Sequence, residues 1–436
     1  MKSDSGHVAR VRALGRAGTM VGLLSLAAVG CDSPIEPGPA DPIDELPRPL
    51  TMLEEDVIRG SNRFGFELLA HVAAEDPNPN VVLSPLSASM ALGMTLNGAV
   101  DGTFDSMRSA LGFDGMTREE INQAYAGLID LLVDLDPSVR FDIANAIWAN
   151  ASVPFHQAFF DAVVQSFDAR VESADFADPA TLEALNGWVS EKTDGNIPKI
   201  LDQLDPQMVM LLLNAIYFEG LWTTQFDPQD TRPGTFTRPD GSEVTVDMMS
   251  LEEAEIRLGG TDGFQMAELP YGGGAYGMVI ALPWEGDARG LASSMTEAAW
   301  NEGVASLQDV EADRLEMPRF TVSYDVFLNR PLADMGMEVA FGPGADFSGM
   351  GPNGADYCID FVRQKTLIEV DEAGTKAAAV TAVGIGPTSF LGMIVDRPFV
   401  FAIRERLSGT ILFSGVIEDP TAPDGAEAEQ PASQCQ

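Results

Sequence analysis

The chain has 436 residues, with 66 acidic and 26 basic side chains and a formal net charge of −40 at pH 7. Nucleic-acid binding needs clustered Lys and Arg to neutralise phosphates, so this charge balance excludes a nucleic-acid partner. The 45% of hydrophobic residues is enough for a large core, and the length alone would allow two or three domains.

Residues 1–30 have the pattern of a secretion signal. Four basic residues precede an apolar run at 20–29 that is too short to span a bilayer. Small residues then lead into Cys31, and this arrangement resembles the bacterial lipobox, in which a signal peptidase cuts before an acylated cysteine. Ala28 stands where Leu is usual. We predict a lipid on Cys31 and export of the protein. It would then be anchored in the cell envelope, on the periplasmic side or at the cell surface, or be extracellular. An ordinary cleaved signal is the alternative.

Two polar segments flank the predicted folded body. Residues 31–50 begin with Cys31 and are rich in Pro and acid, which predicts an extended spacer between a membrane and the body. Residues 421–436 are predicted to be a disordered C-terminal tail. Whether Cys358 pairs with Cys435, which lies in this polar tail, is left open by the sequence.

Helix signals come first along the chain. Capping boxes at 51–54 and 117–120 each precede apolar residues at helical spacing. Ser84 followed by Pro85 predicts a helix start, and Asp178-Pro179 opens another helix that Gly195 closes.

Strand signals dominate the second half. They fall within 243–284, at 314–324 and at 361–370, and a hairpin is predicted around residues 407–409. Helices followed by strands, with no linker or repeat between 51 and 420, predict a single α+β domain over 51–420.

The sequence offers little support for an enzymatic function. Gly272, Gly274 and Gly277 satisfy the spacing of a dinucleotide-binding loop, but a strand follows them where a helix is needed, so a hairpin turn is predicted instead. Beyond the signal segment the histidines are His71 and His156, which form no catalytic or metal-binding pattern. We therefore predict no catalytic residues, no metal, no cofactor and no enzymatic activity.

The segment 372–383 has an unusual run of small residues, EAGTKAAAVTAV. In a strand, Thr375, Ala377, Ala379, Thr381 and Val383 would share one uncharged face, and Lys376 would lie on the other. Such a segment suits insertion between two existing strands, with Gly374 as the hinge because glycine adopts backbone angles that other residues avoid. A flexible surface loop is the alternative that these residues alone leave open.

EVDEAGTKAAAVTAV resembles the reactive-loop hinge of serpins, and the resemblance extends over 52–420. It is carried in chain order by NVVLSPLSASMALGMTLNGA, ALNGWVSEKTDGNIPKIL, LLNAIYFEGLWTTQFD, MPRF, LADMGMEVAFGPGADFSGM and RPFVFAIRERLSGTILFSGVIEDP. The family resemblance implies a fold of three β-sheets with eight or nine helices and an exposed reactive-centre loop at about 372–395.

The resemblance also implies the function, which is suicide inhibition of a serine or cysteine endopeptidase. The protease would cut the loop and form a covalent acyl complex, and the cut loop would insert into the main sheet; we expect a monomer. The implied hinge residues are Glu372, Gly374, Thr375, Ala377, Ala378, Ala379 and Thr381. A non-inhibitory serpin that acts as a binding or carrier protein is the alternative, although such members tend to carry bulky, charged or Pro residues in the hinge.

The family spacing from Gly374 implies a reactive bond between Thr388 and Ser389, with Phe390–Leu391 as the second choice. The residues implied for the core and the shutter, where the main sheet opens, are Ser84, Pro85, Ser87, Asn186, Trp222 and Gln364. Two departures stand out: Lys376 replaces the usual Glu, and Gln364 replaces a histidine found beneath the main sheet in many members. Lys376 would lie on the solvent face of the strand, and Gln364 still donates and accepts hydrogen bonds. Neither change is therefore expected to prevent inhibition.

Overall fold

A computed structural model of the chain describes residues 42–374 and 390–423, together with Gly425 and Ala428. By internal contacts the chain separates into two units, Met1–Gly38 and Pro39–Gln436, and every described residue belongs to the second. The predicted signal, Cys31, Cys435 and residues 375–389 of the predicted reactive loop lie outside the described residues.

The helices begin where the capping signals predict. Thr51 and Thr117 each accept a hydrogen bond from the N3 backbone N–H, and the N3 Glu carboxylate accepts one from the backbone N–H of the cap residue. Ser84 and Asp178 cap the two helices that start with Pro. The helices are α1 Met52–Glu75, α2 Pro85–Leu96, α3 Asp101–Ala110, α4 Arg118–Leu132, α5 Gln157–Phe167, α6 Pro179–Lys192, α7 Ala288–Ser294, α8 Glu297–Ser306, α9 Asn329–Leu332 and α10 Glu338–Phe341.

A π-helical turn, Ala333–Met337, joins α9 to α10. If this run is counted as one helix, the described part of the chain contains nine helices. This agrees with the eight or nine that the sequence led us to expect.

The strands form three sheets, and the α+β prediction is confirmed. The strands are β1 Asn80–Leu83, β2 Val139–Asn150, β3 Arg170–Ala174, β4 Met210–Gly220, β5 Arg232–Thr237, β6 Glu243–Gly260, β7 Phe264–Tyr271, β8 Tyr276–Pro283, β9 Gln308–Pro318, β10 Phe320–Phe327, β11 Arg363–Val370, β12 Gly392–Ile394, β13 Phe399–Glu405 and β14 Ile411–Ile417. The largest sheet has the order β1-β14-β13-β8-β7-β6-β9-β12, with β5 also paired to β6. The other two sheets are β10-β11 and β3-β2-β4.

Local turn chemistry accounts for the hairpins. The turn between β7 and β8 contains Gly272 with φ +53° and Gly274 with φ +90°, which only glycine adopts readily, so the glycine motif is a hairpin turn as predicted. Strands β13 and β14 form the predicted hairpin, with Gly409 in the turn at φ +81°. Within the predicted strand region 243–284, strand β6 runs over 243–260 without a break and continues through Glu253 at φ +51°.

Helix α2 lies inside the molecule. It contacts β4 on one side and β14 on the other, so it separates the three-stranded sheet from the nine-stranded sheet. All of its residues but Ala91 are buried, which matches its apolar and small side chains on every face.

The folded body begins before residue 51. Ile43 and Leu50 pack against the core, and the Ile43 backbone N–H donates to Gly273 O at 2.8 Å. Arg48 makes a bidentate pair with buried Glu54, at 2.9 and 2.7 Å. Burial acts to raise the pKa of Glu54, but the bonds from Arg48 and Thr51 outweigh it and hold that pKa below its usual value. Residues 42–50 are therefore part of the body, where the sequence led us to expect a spacer, because these side chains find partners on it.

A buried ion cluster crosses the nine-stranded sheet. Glu268 on β7 is fully buried and accepts two hydrogen bonds from Arg404, at 2.9 and 2.6 Å. Arg406 lies 3.3 Å from its other oxygen, and Arg257 pairs with that oxygen as well. Burial acts to raise the pKa of Glu268, but the three guanidinium groups outweigh it and hold that pKa low.

The described part of the C-terminal tail stays close to the body. Ala428 N donates to Asp325 Oδ2 on β10 at 3.2 Å. Cys358 is disulfide-bonded, and its partner lies outside the described residues. Among the residues that the structure describes, no helix combines the length and apolar character that crossing a bilayer requires.

Candidate functional site

The site is a cleft between two strand edges. Among the described strands, β4 pairs with β2 alone and β11 pairs with β10 alone, so each of β4 and β11 has one edge without a strand partner. Both strands line the same cavity of about 430 Å³. Strand edges carry rows of backbone donors and acceptors, and native proteins normally cover or pair them.

The cleft has a floor and a partial cover. Ser87, Ala88 and Leu92 of α2 line it from below, and Ile197 and Ile200, in the segment after α6, line it from the other side. The cavity is elongated along the two strands, since its lining runs through 207–218 on one side and 356–368 on the other. Its shape therefore suits an extended chain.

Trp222 lies where β4 and β11 end. Its backbone N–H donates to Ala373 O at 2.8 Å, and its indole Nε1–H donates to Asp371 O at 3.0 Å. The indole stacks on Tyr271 with ring centroids 4.3 Å apart. Because Trp222 follows β4 and Asp371 follows β11, the two strands end at the same edge and run in the same direction.

The chain turns back on itself directly after β11. Asp371 and Gly374 form an antiparallel bridge, which makes Glu372 and Ala373 the two residues of a tight turn. Gly374 has φ +108°, and a Cβ there would lie 2.3 Å from Trp222 N and 2.5 Å from Gly220 O. Glycine is required at the predicted hinge both for its backbone angle and for the lack of space.

Glu372 is held firmly at this turn. Its carboxylate accepts a hydrogen bond from Thr231 Oγ1 at 2.7 Å and lies 3.7 Å from Arg319, and its carbonyl accepts from Phe226 N at 2.9 Å. It is buried, as is Ala373. The other predicted hinge residues, Thr375, Ala377, Ala378, Ala379 and Thr381, lie outside the described residues.

Gln364 and Ser84 join β11 to the start of α2 beneath the cleft. The Gln364 side chain accepts from Ser84 N at 2.9 Å and donates to Ser84 O at 2.9 Å, with both residues buried. Ser84 Oγ donates to Leu412 O at 2.8 Å, and Pro85 is the first residue of α2. The glutamine thus uses both its donor and its acceptor on one backbone unit.

Two buried polar atoms at the cleft have no hydrogen-bond partner among the described residues. They are Asn214 Oδ1 on β4 and Thr366 Oγ1 on β11. The Asn214 amide donates to Asn145 Oδ1 at 2.6 Å and faces Met90 of α2. An unsatisfied buried acceptor or hydroxyl costs about 1–3 kcal/mol, so the cleft contains polar groups that another chain segment could satisfy.

Asn186 does not lie beneath the cleft with Ser84 and Gln364. It is on α6, and it binds the backbone of the following segment by accepting from Ile200 N at 2.9 Å and Leu201 N at 3.1 Å. Helix α6 packs on the face of β4 that holds Leu211 and Leu213, whereas Asn214 faces α2. Successive strand residues point to opposite faces, so the asparagine beneath the cleft is Asn214, which the sequence reasoning missed. Its signal was a lone amide within the apolar run LLNAIYF.

Arg363, the first residue of β11, is among the residues that line the cleft. It makes a bidentate pair with Asp325 of β10, at 2.9 and 2.6 Å, and also donates to Ile200 O at 2.8 Å. It therefore ties β11 to the segment that covers the cleft.

The chain that follows the predicted reactive loop is anchored on β9. Leu391 N donates to Asp313 Oδ2 at 2.6 Å, and Leu391 O accepts from Asp313 N at 2.8 Å. Strand β12 then runs parallel to β9. Phe390 and Leu391 are 55% and 48% exposed, so their side chains project from an anchored backbone.

The comparisons with known proteins agree with this geometry. Residues 59–420 match the family model described as Serpin (serine protease inhibitor). Iripin-5 of Ixodes ricinus is 32% identical over 380 residues, which cover 84% of this chain and 95% of that protein. The native-state structure of tengpin, a thermophilic serpin, matches with TM-score 0.76 and 30% identity over 87% of this chain and 97% of its own. Human thyroxine-binding globulin in complex with thyroxine matches with TM-score 0.76 and 27% identity over 85% and 100%.

Proposed function

Because the chain belongs to the serpin family, we propose that it is an inhibitory serpin that traps a serine or cysteine endopeptidase. The observation that carries this proposal is the cleft between β4 and β11, whose two facing edges have no strand partner in the described part of the chain. A strand that leaves Gly374 in the direction set by the turn would run antiparallel to both neighbours. It would supply hydrogen bonds to both edges at once.

The bridge between Asp371 and Gly374 gives this strand a register. Extended along the hairpin, the pairing would put Thr375 opposite Val370, Ala377 opposite Ile368, Ala379 opposite Thr366 and Thr381 opposite Gln364. Those four β11 residues are each at most 7% exposed, and they alternate with less buried ones. Directly opposite residues share a face, so the small and uncharged hinge residues would enter the buried face.

The same register would put Lys376 opposite Glu369, which is exposed. The departure from the usual Glu at position 376 would then create an opposite-charge pair on the solvent face of the inserted strand. The hinge sequence therefore fits insertion on both faces.

In the proposed reaction the protease nucleophile attacks the carbonyl carbon of Thr388. The Thr388–Ser389 amide bond breaks, the Ser389 amine leaves with a proton, and an acyl bond joins Thr388 to the protease. Insertion of the cut loop then carries the protease along before water hydrolyses the acyl bond. A threonine at this position suits a protease with a small or shallow apolar pocket, such as an elastase-like or subtilisin-like enzyme.

The anchor on Asp313 favours Thr388–Ser389 over Phe390–Leu391. The Leu391 amide would be the leaving amine of the second bond, and it already donates to the Asp313 carboxylate. Proteases bind their substrates as extended strands that offer backbone groups to the enzyme. The Leu391 backbone is engaged by Asp313 on both its N–H and its C=O.

The test is incubation of the full chain with elastase-like, subtilisin-like and chymotrypsin-like proteases, followed by denaturing gel electrophoresis. We expect a complex that survives SDS with at least one of them. A loop-cleaved sample should also melt well above the intact protein, since the inserted strand adds ladder hydrogen bonds. If cut and intact protein melted together and no complex formed, the non-inhibitory alternative would be favoured.

We also propose that the protein is exported and held to a membrane by a lipid on Cys31. The support is the sequence pattern before Cys31 and the polar residues that follow it. Cys31→Ser should move the protein from the membrane fraction to the soluble fraction, with inhibition unchanged. Unchanged fractionation would contradict the lipid anchor.

A further inference from the structure

Trp284 differs from the other tryptophans of the chain in its exposure. Its side chain is 52% exposed, whereas the other four tryptophans are at most 5% exposed. The indole Nε1–H donates to Thr261 O at 3.1 Å, and the Trp284 backbone N–H donates to Gly263 O at 3.4 Å. These bonds hold Trp284 against the turn between β6 and β7 and satisfy the polar edge of the ring. The apolar body of a fixed indole is therefore left for a partner, which is typical of a binding residue.

The pocket around Trp284 is open and acidic. It has a volume of about 800 Å³ and is lined by Trp284, residues 259–263 and Glu302 of α8. Its two carboxylates, Asp262 and Glu302, are exposed, and neither has an ion pair within the part of the chain that the structure describes. Among the described residues, no Lys or Arg lines this pocket.

Arg397 lies close to this region but is already paired. It donates to Pro283 O, one residue before Trp284, at 3.3 and 3.1 Å, and it pairs with Asp396 at 2.9 Å. Arg397 is not among the residues that line the pocket. The two carboxylates of the pocket are therefore left for a cation from outside the protein.

Among organic cations, a guanidinium group fits this arrangement best. Because it is planar, it stacks on an indole face while its N–H donors reach carboxylates beside the ring. An ammonium group is a compact, strongly hydrated charge without a flat face. The formal net charge of −40 would also attract a basic partner toward the protein from a distance.

We propose that the pocket formed by Trp284, Asp262 and Glu302 is a docking site for an arginine side chain on the basic surface of a protein partner. The arginine stacks on the indole, and its N–H groups donate to the two carboxylates. None of the residues that line this pocket lines the cleft between β4 and β11. Arginine binding here is therefore independent of the proposed protease trapping.

The test uses N-acetylargininamide as the probe and Trp284 as the reporter. In the full chain, acrylamide should quench mainly the fluorescence of Trp284, since the other tryptophans are buried. Bound probe should protect Trp284 from this quenching, with half-maximal protection at a concentration on the order of 1 mM, as for one exposed cation that stacks and hydrogen-bonds. The neutral isostere N-acetylcitrullinamide and N-acetyllysinamide, compared at equal ionic strength, should each need at least about fivefold more for the same protection.

Four single variants complete the test. Trp284→Leu should abolish the change in fluorescence that depends on the probe. Asp262→Asn and Glu302→Gln should each raise the concentration for half-maximal protection by roughly threefold to tenfold, because each removes a charge-assisted hydrogen bond. Glu183→Gln on α6 is the matched control, since it removes one exposed carboxylate away from the pocket, and it should leave that concentration unchanged.

Four results would overturn the proposal. The absence of any protection by N-acetylargininamide would remove the site. Equal protection by the citrulline compound would show that the contact needs no charge, and equal protection by the lysine compound would show that a guanidinium is not selected. An effect of Glu183→Gln as large as that of Glu302→Gln would assign the binding to the overall negative charge of the protein.

Discussion

Under the proposed function, replacing Thr375 with Arg should convert the protein from an inhibitor into a substrate of its target protease. In the proposed inserted strand, the register of the Asp371–Gly374 bridge would put residue 375 opposite Val370, which is 1% exposed. An arginine there would have to enter the buried face without a partner, at a cost of about 3 kcal/mol or more. Each 1.4 kcal/mol is a factor of ten in rate, so insertion should slow by roughly 100-fold.

The assay is titration of a fixed amount of protease with the variant, which gives the stoichiometry of inhibition, followed by a denaturing gel. Slower insertion lets the protease complete hydrolysis, so the cleaved monomer should accumulate in place of the complex. Lys376→Arg is the control, because it keeps a cation at the neighbouring position on the predicted solvent face. If Thr375→Arg trapped protease with unchanged stoichiometry, the register and this placement of the hinge would both be wrong.

Three further outcomes are expected. Lys376→Glu should raise the stoichiometry of inhibition, because it would place two carboxylates opposite each other in the inserted strand. Adding Glu369→Lys should bring the stoichiometry back to that of the unmodified protein. A double variant with the same stoichiometry as Lys376→Glu would contradict the charge pair. Gln364→Met should lower the free energy of unfolding of the intact protein, measured in urea, by about 2–5 kcal/mol, because it leaves both backbone groups of Ser84 buried and unpaired; an unchanged value would contradict that role. The pKa of Glu268 is lower in the folded state than in the unfolded state, so its ionised form stabilises the fold above the unfolded-state pKa, and this stabilisation is lost as pH falls through the folded-state pKa. Glu268→Gln should therefore lower the free energy of unfolding at pH 7. The difference in free energy of unfolding between the variant and the unmodified protein should shrink below about pH 4. A difference that does not change with pH would contradict this assignment.

The placement of the site residues shows the limit of working from resemblance. Gln364 and Ser84 meet beneath the cleft, and Trp222 holds the turn after β11. Asn186 lies instead on α6, and Asn214 occupies the position facing α2. Both are single amides near apolar residues, and only the face that each side chain takes in the assembled layers distinguishes them.

The sequence by itself determined the local features. The caps at Thr51, Ser84 and Thr117 depend on one side chain and the backbone three residues away, and the glycine hairpin depends on backbone angles that glycine alone adopts readily. The small side chains and the glycine of residues 372–383 are likewise properties of the segment itself, and the hinge assigned to them from the family resemblance stays a prediction.

Only the tertiary structure decided the cleft. β4 and β11 lie about 150 residues apart in the chain, and neither strand's own sequence indicates that its facing edge has no partner among the described strands. Strand β2, which pairs with β4 over eleven positions, gave no signal that we recognised, because its pairing depends on residues far along the chain. The position of residues 42–50 was also decided by tertiary contacts. Their polar composition predicted a spacer, but in the structure Arg48 binds the buried carboxylate of Glu54. Caps and turns are settled by neighbouring residues, whereas edge pairing and burial are settled by which distant segments come together.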